Sequence, residues 1–405
     1  MRSFGGEFLK NFSRDEKYIF YAQLFIYFLC GIYVVVIGIM VPNIRDEYGV
    51  SYELSGYLIS AASIGVIVVN ILASYTAQWL GFKTAFVLQH ALVIVGFVIV
   101  TVTGHPAALL GGMALLGIGR GSTVNYSNQI VNDLTKSSSR AMNLIGIPFA
   151  IGACITPPVV LLFTNLSGSW KYSNYIISAA AAVGILLTLL MKIGREGVRT
   201  DSVKLGGFSF LKKKKFILAL ISLFFYFGME IAIGGWIVTY FRESHTTSGE
   251  FATLVPTILW ISLLAGRVVC SIVANRLTPA KLVRILSLGI AGFMILFLSN
   301  INFPLLVVST IGLGIFMSGA YSTILADAGP IFSEYRNALG WFIMFGGLGT
   351  ILFPAIIGRI TERHGIQSGM NFLAVTAAAF LIISFINVYN DNKTEKHKNR
   401  IGKDM

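Results

Sequence analysis

The chain has 405 residues, 55% of them hydrophobic and only 12% charged; Lys and Arg outnumber Asp and Glu by 31 to 18, for a net charge of +13. A soluble domain carries about twice that charged fraction. Here charge is missing in blocks, each near the ~20 residues that a helix needs to cross a bilayer, which excludes a soluble enzyme or a nucleic-acid-binding domain and leaves an all-α membrane protein.

Twelve spans are expected in chain order, near 19–41, 54–76, 84–103, 108–131, 141–164, 172–192, 216–241, 251–274, 281–301, 304–327, 337–359 and 367–389. Residues 1–18 mix acids and bases and precede an apolar run longer than a signal-peptide core, so they read as a cytoplasmic N-terminus rather than an export signal. Residues 19–193 form a first six-helix bundle, 194–215 a cytoplasmic central loop, 216–389 a second bundle and 390–405 a cytoplasmic tail. The run Lys212-Lys213-Lys214-Lys215 lies between two spans and is expected to anchor a helix at an anionic leaflet rather than to bind nucleic acid. Cys30, Cys154 and Cys270 fall inside apolar spans at unrelated spacings, which suits packing and fits neither a metal site nor a disulfide.

Orientation follows from the bases. With both termini cytoplasmic, the outer loops hold only Arg45, Lys171, Arg242, Arg359 and Arg363, and Arg120 and Arg267 lie within spans; all other Lys and Arg are cytoplasmic. Short loops and no soluble appendage suit a bacterial inner membrane, and a monomer is expected.

The two halves repeat at a near-constant offset. Gly31 in span 1 corresponds to Gly228 in span 7, and Ser74–Gln78 to Ser271–Asn275. Gly117, Gly119 and Tyr126-Ser127 in span 4 correspond to Gly312, Gly314 and Tyr321-Ser322 in span 10, and Pro157 to Pro354. A duplicated half is a transporter architecture with solute held between the halves.

On these features the chain resembles the major facilitator superfamily. The family's loop signature, Gly-x-x-x-Asp-Arg-x-Gly-x-Lys, has a worn copy after span 2 in Ser74, Gln78, Trp79, Gly81 and Lys83; a second copy keeps Arg276 and Lys281 but has Ser271 and Asn275. The resemblance implies a gating role for Gln78, Gly81, Lys83, Asn275, Arg276 and Lys281, with amides where the family has aspartates. More narrowly, Gly228-x-Glu230-(x)3-Gly234-Gly235-Trp236 is similar to a segment of the fucose–galactose–glucose:proton symporter group, as are the Gly117/Gly119/Gly121 run with Asn128 downstream and the span-10 stretch Gly314–Ile324. The resemblance implies two pseudo-symmetric six-helix bundles, a cavity lined by spans 1, 4, 7 and 10, and cation-driven import of a sugar-like solute. Where fucose carriers of that group keep acids in spans 1 and 4, this chain has Gly38 and Val124, so their coupling chemistry does not transfer. Span 5 also lacks the ending of drug:proton antiporters, which disfavours drug or metabolite export.

Charges within spans are functional candidates by default. Glu230 lies about 21 Å into span 7 at 1.5 Å per residue, a depth at which desolvation favours a neutral carboxyl group and so permits proton exchange; a structural acid holding a neighbouring helix is the other reading. Arg120 lies near the midplane of span 4 and needs a partner or a wet cavity. It could pair with Glu230, clamp an anionic substrate through a bidentate contact, or serve gating and packing alone. Gly117 and Gly121 form a small-xxx-small pair for close helix contact, and Arg267 lies close enough to the cytoplasmic face to snorkel. Solute-binding candidates are Trp236, Tyr33, Asn125, Tyr126, Asn128, Asn143 and Tyr321, since sugars take amide and hydroxyl hydrogen bonds and an aromatic face; Trp236 is also placed where interfacial tryptophans occur.

The expected function is a proton-coupled sugar importer. The alternative is an organic-anion carrier for a sugar acid or small carboxylate, using Arg120. No HExxH, Gly-x-Ser-x-Gly elbow, Walker loop or paired intramembrane aspartates occur, so an intramembrane enzyme or a sensor is disfavoured, and no metal or cofactor is expected.

Overall fold

The protein is described here by a computed structural model covering residues 12–135, 139–192, 207–243, 248–335 and 337–401. Apart from one short 3-10 turn, Ser209–Lys212, the regular elements are α1 (Arg14–Tyr48), α2 (Tyr52–Leu80), α3 (Phe82–Val102), α4 (Pro106–Leu134), α5 (Ser139–Ser167), α6 (Lys171–Leu190), α7 (Lys214–Glu243), α8 (Gly249–Ala274), α9 (Pro279–Ser299), α10 (Phe303–Met317), α11 (Ala320–Glu334) and α12 (Ala338–Ile401). Among the described residues, eleven helical runs are long and apolar enough to cross a membrane.

Three spans differ from the expected single rods. The tenth is broken at Ser318–Gly319 into the half-helices α10 and α11. The eleventh and twelfth run together as α12, turning at Gly365, whose φ of 79° only glycine adopts without strain. The apolar part of α12 has 52 residues, about 78 Å of helix, enough to cross a ~30 Å hydrocarbon layer twice. The all-α twelve-span reading therefore stands.

By internal contacts the chain forms two compact units, one of residues 1–50 and 61–201 and the other of residues 51–60 and 202–405. In the first, α1 packs on α4, α5 and α6, and α3 on α4 and α6. In the second, α7 packs on α8, α11 and α12, and α9 on α10, α11 and α12. The repeat read from Gly31 and Gly228 becomes physical here. A Cβ on Gly31 would collide with the Phe149 carbonyl of α5, and one on Gly228 with the Phe353 ring of α12. Close approach, not a special φ, requires these glycines. Within lipid the apolar phase gives helices no reason to associate, so such contact supplies much of the cohesion.

A second regularity concerns helix ends. The last four carbonyls of a helix lack intrahelical partners, and away from water each needs one. Side chains of other helices supply them. Tyr18 donates to Leu187 near the end of α6 (3.1 Å), Tyr48 to Thr101 of α3 (2.7 Å) and Tyr240 to Phe297 of α9 (3.3 Å). Gln367 caps Leu298 of α9 (2.7 Å), and Tyr226 caps Met317, the last residue of α10 (3.0 Å).

Helix starts are treated alike. Ser13 and Glu16 form a capping box on α1. The first amides of α2 are met from α12: Glu362 accepts from the backbone of Tyr52 at 2.6 Å and of Glu53 at 3.3 Å. Arg359 then pairs with Glu53 at 3.0 Å and donates to Tyr57 at 3.1 Å, while Tyr52 donates to Glu243 of α7 at 2.9 Å. These bonds account for residues 51–60 clustering with the second unit.

Gly152 of α5 faces the Phe28 carbonyl of α1, whereas Gly146 on the same helix faces open space. Gly152→Leu is expected to destabilise by at least about 1–3 kcal/mol through overpacking, seen as a lower Tm in detergent. Gly146→Ala is expected to leave Tm unchanged or raise it.

Candidate functional site

In the first unit the stretch Leu116–Ser122 is wedged between two neighbours. Gly117 abuts Ala62 of α2, Gly121 abuts Val66 and Val69 of α2, and Gly119 abuts Val93 and Gln89 of α3. With those faces occupied, Arg120 is left half-buried on the remaining side, within electrostatic reach of Cys30 of α1. Among the described residues, no carboxylate of this unit pairs with it.

The other candidates of this unit separate into a buried group and a half-buried one. Tyr126 is buried and donates to the Ala73 carbonyl at 3.0 Å, with Thr76 3.2 Å away and the Phe86 ring stacked at 5.3 Å. Tyr33 is 3% exposed and bonds His90 Nε2 at 3.1 Å. Asn125 and Asn128 are half-buried; Asn125 donates to Asn70 at 2.8 Å and Asn128 accepts from Tyr27. The side chain of Asn143 lies outside the described residues.

In the second unit Glu230 is half-buried on α7. One turn earlier, Tyr226 reaches its carboxylate while capping Met317. Arg267 of α8 and Tyr321 of α11 are within electrostatic reach of Glu230, and the Tyr321 ring lies 5.2 Å from that of Phe227. The charge of Arg267 therefore has an acid to answer to within its own unit. Trp236 is fully buried and donates to the Pro354 carbonyl at 3.3 Å, where it braces α7 against α12.

The loop residues show varied settings. Gln78, Gly81, Asn275, Arg276 and Lys281 are exposed. Gly81 has φ 79° and starts α3. Lys83 is tied down, donating to the carbonyls of Leu189 (2.6 Å) and Met191 (2.8 Å) at the end of α6, a favourable place for a cation. Asn275 is the C-terminal cap residue of α8.

Sequence reasoning passed over two buried polar groups. Asp327 of α11 is 4% exposed, pairs with Lys215 at 3.1 Å and accepts from Asn387 of α12 at 2.7 Å. It stands at the last position of the expected span 304–327. His90 carries no formal charge and was not counted. The lysine run, expected at the leaflet, contributes Lys215 to this pair and Lys213 to an ion pair with Glu334.

Two similarly built bundles of apolar helices, with a charged side chain half-buried in the middle of α4 and another in α7, define a multi-span solute carrier. The chain belongs to the Major Facilitator Superfamily, whose family model matches residues 23–330. It is accordingly an integral membrane transporter of small molecules and not an enzyme. Relatives include a Protein TsgA homolog of Buchnera aphidicola subsp. Baizongia pistaciae, 23% identical over 370 residues (89% of this chain, 93% of that one). Protein TsgA of Escherichia coli is 20% identical over 384 residues, covering 91% and 95%. Among solved structures, the nucleoside transporter NupG superposes with a TM-score of 0.75 at 18% identity, covering 93% of this chain and 99% of that one. FucP, a transporter of the same superfamily in the outward conformation, gives 0.61 at 18%, covering 92% and 99%. At such identities the structures show a shared fold.

Removing Lys215 leaves the buried Asp327 carboxylate without its counter-charge though still bonded to Asn387. Because the Lys215 side chain is partly exposed, the cost falls below the about 3–5 kcal/mol of a fully buried pair, and replacing both is milder still. Lys215→Met is thus expected to lower Tm, and Lys215→Met with Asp327→Asn to recover most of the loss. Equal damage by single and double variants would mean that the pair itself contributes little.

Proposed function

We propose that this chain imports a sugar or sugar-like solute by alternating access and that protons drive it through Glu230. The setting of Glu230 carries the reading: a half-buried carboxylate in α7, flanked by the phenols of Tyr226 and Tyr321 and attracted by Arg267. A proton arriving on Glu230 cancels the attraction to Arg267 and turns the acid from acceptor into donor. Both changes alter what the neighbouring helices hold, which is how a gradient can bias a conformational equilibrium. The solute class is supported by the segment from Gly228 to Trp236, similar to that of the sugar:proton symporters, and by the fold shared with NupG, a nucleoside transporter. Asn125, Asn128 and Tyr321, half-buried on α4 and α11, are the polar side chains best placed for hydroxyl groups; Trp236, sealed against Pro354, serves by fixing α7. The loops bearing Gln78, Gly81, Lys83, Asn275, Arg276 and Lys281 gate the cytoplasmic side. The protein works in a bacterial inner membrane as a monomer with cytoplasmic termini.

One observation favours a second reading. The half-buried guanidinium of Arg120 meets no carboxylate of its own unit among the described residues, so a substrate carboxylate is a fitting counter-ion. The solute would then be a sugar acid or small carboxylate.

Uptake into proteoliposomes tests both. Glu230→Gln is expected to abolish accumulation driven by a proton gradient while sparing solute exchange; undiminished accumulation would remove Glu230 from coupling. Arg120→Gln is expected to cost a neutral sugar and an acidic solute equally on the first reading, and to cost the acidic solute at least about tenfold more on the second, the size of one charge-assisted hydrogen bond.

A further inference from the structure

The break in the tenth span lies near the middle of the apolar run Phe303–Glu334. α10 ends at Met317 and α11 begins at Ala320, with no proline at the junction. Three contacts bracket it: the Cys270 side chain of α8 lies against Gly319, Phe227 of α7 packs on Tyr321, and Tyr226 donates to the Met317 carbonyl. The far end of α11 is held to the start of α7 and to α12 by Asp327 with Lys215 and Asn387, and by Glu334 with Lys213. The far end of the span is thus anchored through ion pairs and an amide, and the break is held by contacts from α7 and α8.

Tyr226 has one hydroxyl proton and two acceptors within reach, the Met317 carbonyl and the carboxylate of Glu230. A phenol can donate once. If Glu230 is protonated, its hydroxyl donates to the Tyr226 oxygen and Tyr226 donates onward to Met317, so all three groups are satisfied. If Glu230 is ionised, the stronger charge-assisted bond draws the phenol proton to the carboxylate. The Met317 carbonyl then loses its cap, and a buried carbonyl without a donor is unfavourable enough to reshape the backbone around it.

We propose that Tyr226 is a positioning residue that transmits the protonation of Glu230 to the break at Ser318–Gly319, by moving its single hydroxyl proton between Glu230 and the Met317 carbonyl. The inference rests on the reading of Glu230 as the coupling acid. Among the described residues of this unit, the charged and titratable groups facing Glu230 are Tyr226 on its own helix, Arg267 from α8 and Tyr321 from α11. From α12, Gly349, Phe353, Pro354 and Phe380 pack on this part of α7, and none of them titrates.

The test is an electron–electron distance between spin labels at exposed Ile301 and Ser333, on either side of the break, in the full-length protein without solute. The distance in the otherwise unaltered protein is expected to shift between acidic and alkaline pH. Glu230→Gln is expected to hold the acidic value at both, and Tyr226→Phe to abolish the shift although Glu230 is intact. A pH-dependent shift that survives Tyr226→Phe, or no shift in the parent, overturns the proposal. Should Tyr226→Phe not fold, infrared difference spectra of the parent and of Glu230→Gln decide: a tyrosine band must change with pH in the parent and not in the variant. Because no transport is measured, failure here is distinguishable from loss of coupling in the uptake assay.

Discussion

Every structural choice in this chain follows from one constraint: inside a bilayer there is no water to complete a backbone hydrogen bond. Helices meet that demand along their length but not at their ends. The protein answers with long polar side chains from neighbouring helices, chiefly tyrosines, whose rings suit the apolar phase while their hydroxyls reach a carbonyl. Tyr18, Tyr48 and Tyr240 do this near the ends of spans. Tyr226 does it in the middle of one. There the cap shares its neighbourhood with an acid, and a structural device acquires the means to respond to chemistry.

The same constraint gives two acids of the second unit different settings. Asp327 is nearly sealed, paired to a lysine and an asparagine amide, and fixes α11 in place. Glu230 is half-buried, and its neighbours are phenols and an arginine that is itself exposed. An acid that must exchange a proton needs access and an incomplete set of partners; an acid that fixes helices needs neither.

The spans, their duplication and the two mid-span charges were legible in the sequence, because each is a matter of apolar run length or of a charge where none belongs. The break at Ser318–Gly319 was not: it lies in an unbroken apolar run, marked by a glycine among many, and arises from tertiary contact with Cys270 and Tyr226. Nor was the burial of Asp327, because hydropathy reports how long a run is and not which side of a helix meets its neighbours. Tyr126 and Trp236 show the converse. Their composition suited a sugar site, yet Tyr126 donates to Ala73 and Trp236 to Pro354, bonds that no spacing rule announces.

The carboxylate that Glu362 places on the opening amides of α2 has a practical consequence. It makes the start of one helix a tertiary product of the stretch of α12 that carries Arg359, Glu362 and the turn at Gly365. That turn is exposed and looks like a convenient site for an epitope, a fluorophore or a fusion partner. An insertion there would remove the counter-charge from α2 and fray a helix more than three hundred positions upstream, so reporters for this protein belong elsewhere.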